Sequence, residues 1–448
     1  LNLATMIGRG LGARRTSAGL TALGVALGVM LTSAMLTVGR QVADVYRNQG
    51  SAFPIILGAK GSALQLVLNV VYQLDQSPGL IPFSVYREMQ NTSWVKLAVP
   101  YAVGDSYRGF RVVATTDAIF DPSFQPLPGR PLALRAGRPL RVERPLLDAA
   151  LARIEQSGSV DDEDDETAAP PSDAMVGSAV AEHLGLRIGA LIEPTHGIEG
   201  GKAHEKRRTW TVLGILMPTG TAIDRVIFIG LDSFFGIEEH LVGGRLPSSD
   251  PGRWQAALSA VVVFPRVAAA RTMMLPQLNK RGDIQAASAS REIRKLLQIV
   301  GDVEQLFVVL ASGIVAVGVL SVAVALYNTM NERRREVAIL RALGARRRTV
   351  LLLLVGEAAA IAAAGAVVGL LLGRALVFMV APKIEAITGL APDVFRWTEV
   401  VDDVPGFRSI PAEVLIPILV AAVGALSGLL PGIRGYRTSV ASNLGIVQ

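Results

Sequence analysis

Asn331 to Gly373 reads NERRREVAILRALGARRRTVLLLLVGEAAAIAAAGAVVGLLLG, an arginine-rich amphipathic segment that runs straight into an apolar span. Arg333, Arg334, Arg335, Arg341, Arg346, Arg347 and Arg348 lie between two hydrophobic segments. An excess of positive charge in a short loop places that loop in the cytoplasm. Within it Val337, Leu340, Ala342 and Leu343 recur near helical spacing, and Gly344 stands where a helix end favours glycine. The expectation is a short helix lying under the membrane. Its physics allows two roles, adhesion of arginine to anionic headgroups or docking of a cytoplasmic partner.

Composition agrees with a membrane protein. Half of the 448 residues are hydrophobic and the mean hydropathy is positive. Ala18–Val38, Leu306–Tyr327, Val350–Val380 and Val414–Leu430 are each apolar, and each approaches or exceeds the about 20 helical residues that cross a hydrocarbon core of about 30 Å. The net charge of +6 would suit nucleic acid, but the arginines flank the spans and topology accounts for them. The chain has no cysteine, which excludes disulfides, thiol nucleophiles and thiolate metal ligands. Arg9, Arg14 and Arg15 precede the first window, which is too long for a signal peptide and reads as an uncleaved anchor with its N-terminus inside. Leu1 reads as a trimmed end or an alternative start.

The expected fold class is therefore four transmembrane α-helices with a large α+β extracytoplasmic domain inserted between helices 1 and 2. The expected division is an N-terminal segment with the first span over residues 1–40, stalk helices and a two-lobed exported domain over 41–304, and the second span over 305–328. A cytoplasmic loop over 329–349, the third span over 350–380, a short exported loop over 381–413, the fourth span over 414–433 and a cytoplasmic tail over 434–448 complete it.

Along the chain, Gly19, Gly24 and Gly28 put small residues in the first span, which favours a packed bundle. Gln41–Gln49 continues it as a polar stalk. In the exported part, Leu66–Leu74, Ser84–Gln90 and Pro265–Leu278 read as helices. Lys96–Val103, Gly109–Thr115, Thr209–Met217, Arg225–Ile229 and Ala256–Phe264 read as strands. Asp161–Glu166, all acidic, reads as a solvated loop rather than a calcium site, because it lacks interleaved spacing and a turn glycine. Arg291–Glu304 is amphipathic and enters the second span with only Gly301 as a weak point, so it predicts a second stalk. In the third span Gly365, Gly369 and Gly373 form a packing face. Glu357 lies inside the same span, either buried for function or reaching the cytoplasmic surface to pair with a loop arginine.

The stretch EVAILRALGA resembles the segment E-x-A-I-L-R-A-L-G-A that precedes the third transmembrane helix in the MacB/FtsX-like permease family. Glu336, Ala338, Ile339, Leu340, Arg341, Ala342, Leu343, Gly344 and Ala345 match it, and Glu357 matches an acidic residue early in the next span. The resemblance implies that this segment is a coupling helix docked into a separate or fused ATPase, with Glu336, Val337, Ile339, Leu340, Arg341, Leu343 and Gly344 making the contact. A second match lies upstream, where Gly177, Ala181, Leu184, Gly185, Leu186, Gly189, Val212, Gly214, Thr219, Gly220, Asp224 and Phe228 resemble the family's exported domain. Gly424, Leu426, Gly428, Leu430 and Pro431 fit the family's ending, but Thr438 and Ser439 replace its Asp-Pro pair.

The resemblance implies a non-catalytic permease subunit in the bacterial inner membrane. It would couple ATP hydrolysis by a cytoplasmic ABC ATPase, which holds the ATP and Mg, to movement of the periplasmic domain, and so drive export or extraction of a lipoprotein, a peptide or a small toxic compound. Implied partners are a second permease copy, identical or paralogous, the ATPase, membrane lipid, and a periplasmic adaptor or substrate-binding protein. The alternatives are a non-transporting regulator of a periplasmic partner such as a cell-wall hydrolase, and a zinc-linked transport subunit.

Motifs for other chemistry fail on spacing. Gly58–Ser62 lacks the length of a phosphate-wrapping loop, so ATP hydrolysis belongs to another chain. His204-Glu205 opens like a zinc-peptidase motif, but Arg208 occupies the second histidine position. His196, His204 and Glu205 lie on one glycine-rich stretch that is either a zinc or copper site or a plain hairpin, with Lys206, Arg207 and Arg208 opposing a cation.

Overall fold

The computed structural model of the protein describes residues 3–12, 15–74, 76–156, 173–196, 209–236, 245–247, 254–332, 345–388, 393–397 and 411–437. Its helices are α1 (Leu3–Gly12), α2 (Arg15–Ala52), α3 (Ala63–Val71), α4 (Phe83–Asn91), α5 (Arg144–Gln156), α6 (Ser178–Leu184), α7 (Leu231–Phe235), α8 (Ala268–Asn279), α9 (Ala289–Glu332), α10 (Arg347–Thr388) and α11 (Ala412–Arg437). Its strands are β1 (Ile55–Gly58), β2 (Ile81–Pro82), β3 (Val95–Tyr107), β4 (Phe110–Thr115), β5 (Leu134–Gly137), β6 (Asp173–Val176) and β7 (Leu191–Ile192). They continue with β8 (Thr195–His196), β9 (Trp210–Leu216), β10 (Val226–Gly230), β11 (Arg245–Pro247), β12 (Trp254–Leu258), β13 (Ala260–Pro265) and β14 (Gln285–Ala287).

Two compact units result. The first comprises Leu1–Val42, Ile299–Glu385 and Ala391–Gln448, and the second comprises Ala43–Gln298 with Ala386–Leu390.

The first unit is helical. Among the described residues three helices, α2, α9 and α10, are long and apolar enough to cross a membrane, and Glu413–Leu429 of α11 is a shorter apolar helix. With no proline between Arg15 and Ala52, the first span and its polar continuation form one helix of 38 residues. At 1.5 Å per residue α2 is about 57 Å long, so a polar end extends beyond a hydrocarbon core of about 30 Å. The same holds for α9, whose 44 residues run without a break through Gly301. Leu20, Leu23, Leu27 and Leu31 are exposed on one face of α2, while Val25, Ala26 and Val29 are fully buried on the other. An aliphatic outer face is costly in water and suited to lipid. Helix α1 was not foreseen from the sequence; its Leu11 packs on the bundle core.

The second unit is built on one large sheet with the order β14-β1-β13-β3-β4-β10-β6-β9-β5, to which β7 adds on β9 and β8 on β3. The sheet is mixed, with β10 parallel to β4 and β6 parallel to β9. Its side chains alternate between two cores, as strand geometry requires. Ile55, Leu57, Val261, Val263, Ile227 and Ile229 point into one core with Phe83, Leu147, Phe234 and Leu278 of the helices on that face. Ile56, Val262, Phe264, Val226 and Phe228 point into the other with Leu66, Val70, Phe53 and Ile293. A smaller sheet, β11-β12-β2, lies off this path. Among the described residues the unit holds these two sheets.

The expected strand Ala256–Phe264 is divided. Ser259 breaks it, with its N–H donating to the Tyr101 carbonyl (2.8 Å) and its Oγ accepting from the Val103 N–H (3.0 Å), and the chain passes from the small sheet to the large one. The expected helix from Pro265 starts at Ala268, after Val267 in extended backbone. Residues 161–166 lie outside the described residues.

Candidate functional site: the packed helices and their buried polar groups

Gly365, Gly369 and Gly373 of α10 meet α2. A methyl group built on Gly365 would stand 2.6 Å from the carbonyl oxygen of Ala22, and one on Gly369 would stand 2.6 Å from that of Ala26. One on Gly373 would fall on the Ser33 hydroxyl. Only glycine lets the two backbones approach this closely, and van der Waals contact over that surface is the main attraction between helices in lipid. Residue numbers rise together along this seam, so α2 and α10 are parallel. Gly24 faces Gly318, and a methyl on Gly28 would stand 2.7 Å from Val315; here one number rises as the other falls, so α2 and α9 are antiparallel. Gly424 faces Ala362 and Gly428 faces Ala358 and Val355, which makes α10 and α11 antiparallel. Val25, Val29, Val322, Leu326, Ala358, Ala362 and Ala366 fill the middle.

Glu357 and Arg374 place charge within this apolar packing. Glu357, three turns into α10, is 4% exposed and borders a cleft lined by Leu11, Ser17, Ala18, Thr21, Leu326 and Ile361. The carboxylate is thus turned into the bundle between α1, α2 and α9. Arg333, Arg334, Arg335 and Arg341 lie outside the described residues, and Arg346 and Arg348 are exposed. The other position is toward the far end of α10. Arg374 Nη2 lies 2.7 Å from Glu413 Oε1 of α11, with side chains 26% and 13% exposed. Its Nη1 donates to the carbonyls of Val394 and Arg396. Gln41 of α2 holds the same segment, its Nε2 donating to the Asp393 carbonyl (2.8 Å) and its Oε1 accepting from the Asp393 N–H (2.7 Å). Nothing local in the sequence pairs Arg374 with Glu413, which is 39 residues away.

In the second unit the motif residues are architectural. Gly177 opens α6 in contact with the Asp224 backbone, where a methyl would collide with the Asp224 carbonyl. Asp224 accepts the N–H of Thr219 (2.9 Å), its hydroxyl (2.8 Å) and the N–H of Gly220 (2.7 Å), closing the turn before β10. Gly185 ends α6 with φ +64, a left-handed conformation that glycine adopts without strain. The nearby Asp232 is raised above the usual carboxylate range because burial disfavours its charge, although the N–H groups of Glu143 and Ser233 both donate to it.

The proposed coupling residues Glu336, Val337, Ile339, Leu340, Arg341, Leu343 and Gly344 lie outside the described residues, as do His204 and Glu205. The backbone of His196 pairs with Asp105 at the edge of β3. Among the described residues no group of three or more His, Cys, Asp or Glu is placed to hold a metal.

Comparison with known proteins covers both units. Residues 18–263, more than half of the chain, match the family model described as MacB-like periplasmic core domain, and residues 308–440 match that described as FtsX-like permease C-terminal. The uncharacterized ABC transporter permease YvrN of Bacillus subtilis (strain 168) is 30% identical over 150 residues, which is 33% of this chain and 32% of that relative. The chain thus matches about a third of the relative's length. Among solved structures, the extracellular domain of the noncanonic ABC-type transporter YknZ from Gram-positive bacteria aligns at 13% identity and a TM-score of 0.29, over 52% of this chain and 98% of that one. The periplasmic region of MacB from Actinobacillus actinomycetemcomitans aligns at 12% and 0.31, over 56% and 95%.

Proposed function

This chain belongs to the MacB/FtsX-like family of ABC transporter permeases, and we propose that it is the membrane subunit through which a separate cytoplasmic ATPase drives movement of the exported domain. In this reading α2, α9, α10 and α11 are the four spans, the exported domain is inserted between the first two, and both termini are inside. The segment over residues 331–349 is cytoplasmic, and Glu336 to Gly344 dock on the ATPase, which holds ATP and Mg. Two copies of the permease, identical or paralogous, assemble with it. Closure of the ATPase moves the docked helix and tilts α2 and α9, whose helical continuity transmits the movement. The exported domains then capture and release a lipoprotein, a peptide or a small toxic compound.

One observation supports this reading above the others. The glycine seams make α10 parallel to α2 while α9 and α11 run against their neighbours, which is the alternation four consecutive spans require. The loop between α9 and α10, which carries the arginines, then falls on the same side as the N-terminus, as the positive-inside rule asks.

Cysteine labelling tests it in a chain that has no cysteine of its own. Ser159→Cys should react with a membrane-impermeant maleimide in intact cells, and Thr349→Cys only after permeabilisation. Equal reaction at both positions in intact cells would overturn the topology.

A further inference from the structure

The segment Asp393–Trp397 is pinned at both ends of its turn and yet turns its two aromatic side chains outward. Gln41 brackets the Asp393 peptide from both sides. Arg374 donates to the carbonyls that flank Phe395, and the Asp393 carboxylate accepts the Phe395 N–H at 2.9 Å. A segment held this way does not collapse to hide apolar surface. Phe395 is nevertheless 85% exposed and Trp397 60%.

The level of the segment tells what covers these rings. Its tethers are Gln41, which with Arg40 opens the polar end of α2, and Arg374, which pairs with Glu413 where α11 begins. Phe378 and Met379, one turn beyond Arg374, are 69% and 70% exposed, so the outward apolar face of α10 continues up to this height. The rings therefore stand at the boundary where lipid-facing helix surface gives way to polar chain. Tryptophan is enriched at that boundary because its ring is apolar and its indole N–H seeks a polar partner. Burying a side chain the size of phenylalanine is worth about 1.5–3 kcal/mol, enough to seat such a turn in lipid.

We propose that Phe395 and Trp397 form an interfacial anchor, seated among the headgroups and upper acyl chains on the exported side of the membrane. The anchor fixes the height of α2, α10 and α11 against the bilayer through the Gln41, Arg374 and Glu413 contacts. It rests on the reading of these helices as spans.

Tryptophan emission tests it in the full chain, reconstituted into phosphatidylcholine vesicles with or without bromine on the acyl chains. Bromine quenches only what it can touch. Trp94, Trp210 and Trp254, the other tryptophans, belong to the exported unit. The expected result is a loss of emission in brominated vesicles that disappears in Trp397→Phe, with aqueous iodide failing to quench the same component. A second variant, Phe395→Ser, should shift the Trp397 component to the red as the turn loosens. An equal bromine-dependent loss in wild type and Trp397→Phe would overturn the anchor. So would a Trp397 component quenched by iodide, which means water, or by neither quencher, which means a protein partner. Inverted labelling at Ser159 and Thr349 would overturn the topology while leaving the bromine result standing, so the two failures are distinguishable.

Discussion

A methyl group at Gly369 would press on the Ala26 carbonyl at 2.6 Å, whereas one at Gly19 would meet nothing within 4 Å. Two glycines in packed apolar helices thus have opposite consequences. Gly369→Leu should force α2 and α10 apart, and overpacking of this kind costs about 1–3 kcal/mol. A thermal unfolding assay in detergent should show a clear fall in Tm. Gly19→Ala should leave it unchanged or raise it slightly, since alanine in place of glycine stabilises a helix by roughly 0.5–1 kcal/mol. Equal responses would mean that the seam does not hold the bundle. The ion pair of Arg374 and Glu413 makes a second prediction. Removing one member of a buried pair costs roughly 3–5 kcal/mol; here the arginine is 26% exposed and the loss should be smaller. Glu413→Gln and Arg374→Met should each lower Tm, and the double variant should lower it by less than their sum. Strict additivity would remove the pair from the forces that join α10 to α11.

Helices were legible where the hydrophobic run was long, and their partners were not. The repeat at Gly365, Gly369 and Gly373 specifies a face of α10, but nothing local identifies Ala22, Ala26 and Ser33 as what that face meets. The stretch from Ala256 to Phe264 is nearly all apolar, so it carries no alternation to show that the chain changes sheets at Ser259. Arg144–Gln156 follows a proline- and arginine-rich stretch and went unseen, although Leu147, Leu151 and Ile154 are buried on one side of it. Motif positions such as Gly177, Gly220 and Asp224 were found by resemblance, and their physical reason, a closed turn against a helix start, needed the fold. Continuity of α9 is the element-scale property on which the proposed transmission depends. Gln298 is exposed, so Gln298→Pro leaves side-chain packing intact while removing a backbone donor and crowding the carbonyl one turn earlier, at a cost of about 3 kcal/mol or more. The variant should still bind its ATPase and should fail to move cargo. Normal transport with a broken α9 would count against a rigid stalk.

At the scale of the whole assembly, the proposed function turns on the contact with the ATPase. Leu340 and Leu343 are expected to enter a groove on that partner, with Arg341 against an acidic rim. Each buried leucine is worth roughly 1.5–3 kcal/mol, and an aspartate in its place adds the cost of desolvating a charge. Leu340→Asp with Leu343→Asp should therefore lose the ATPase on copurification, whereas Arg346→Ala should keep it. A stoichiometric complex with the double variant would place the docking surface elsewhere. The contacts of α2 with α10 and with the segment after it also bear on how the molecule is made. Gln41 and Asp393, which bracket each other in the finished protein, are 352 residues apart in the chain. At about 5–20 residues per second, ribosomes need about 20–70 s to cover that distance. If α2 is the first span, as proposed, it sits in the bilayer for that interval with its small-residue stripe unmatched while the domain between α2 and α9 emerges and folds. On the proposed topology, biogenesis would then include a waiting state, in which α2 has to be kept from pairing with another helix until α10 arrives.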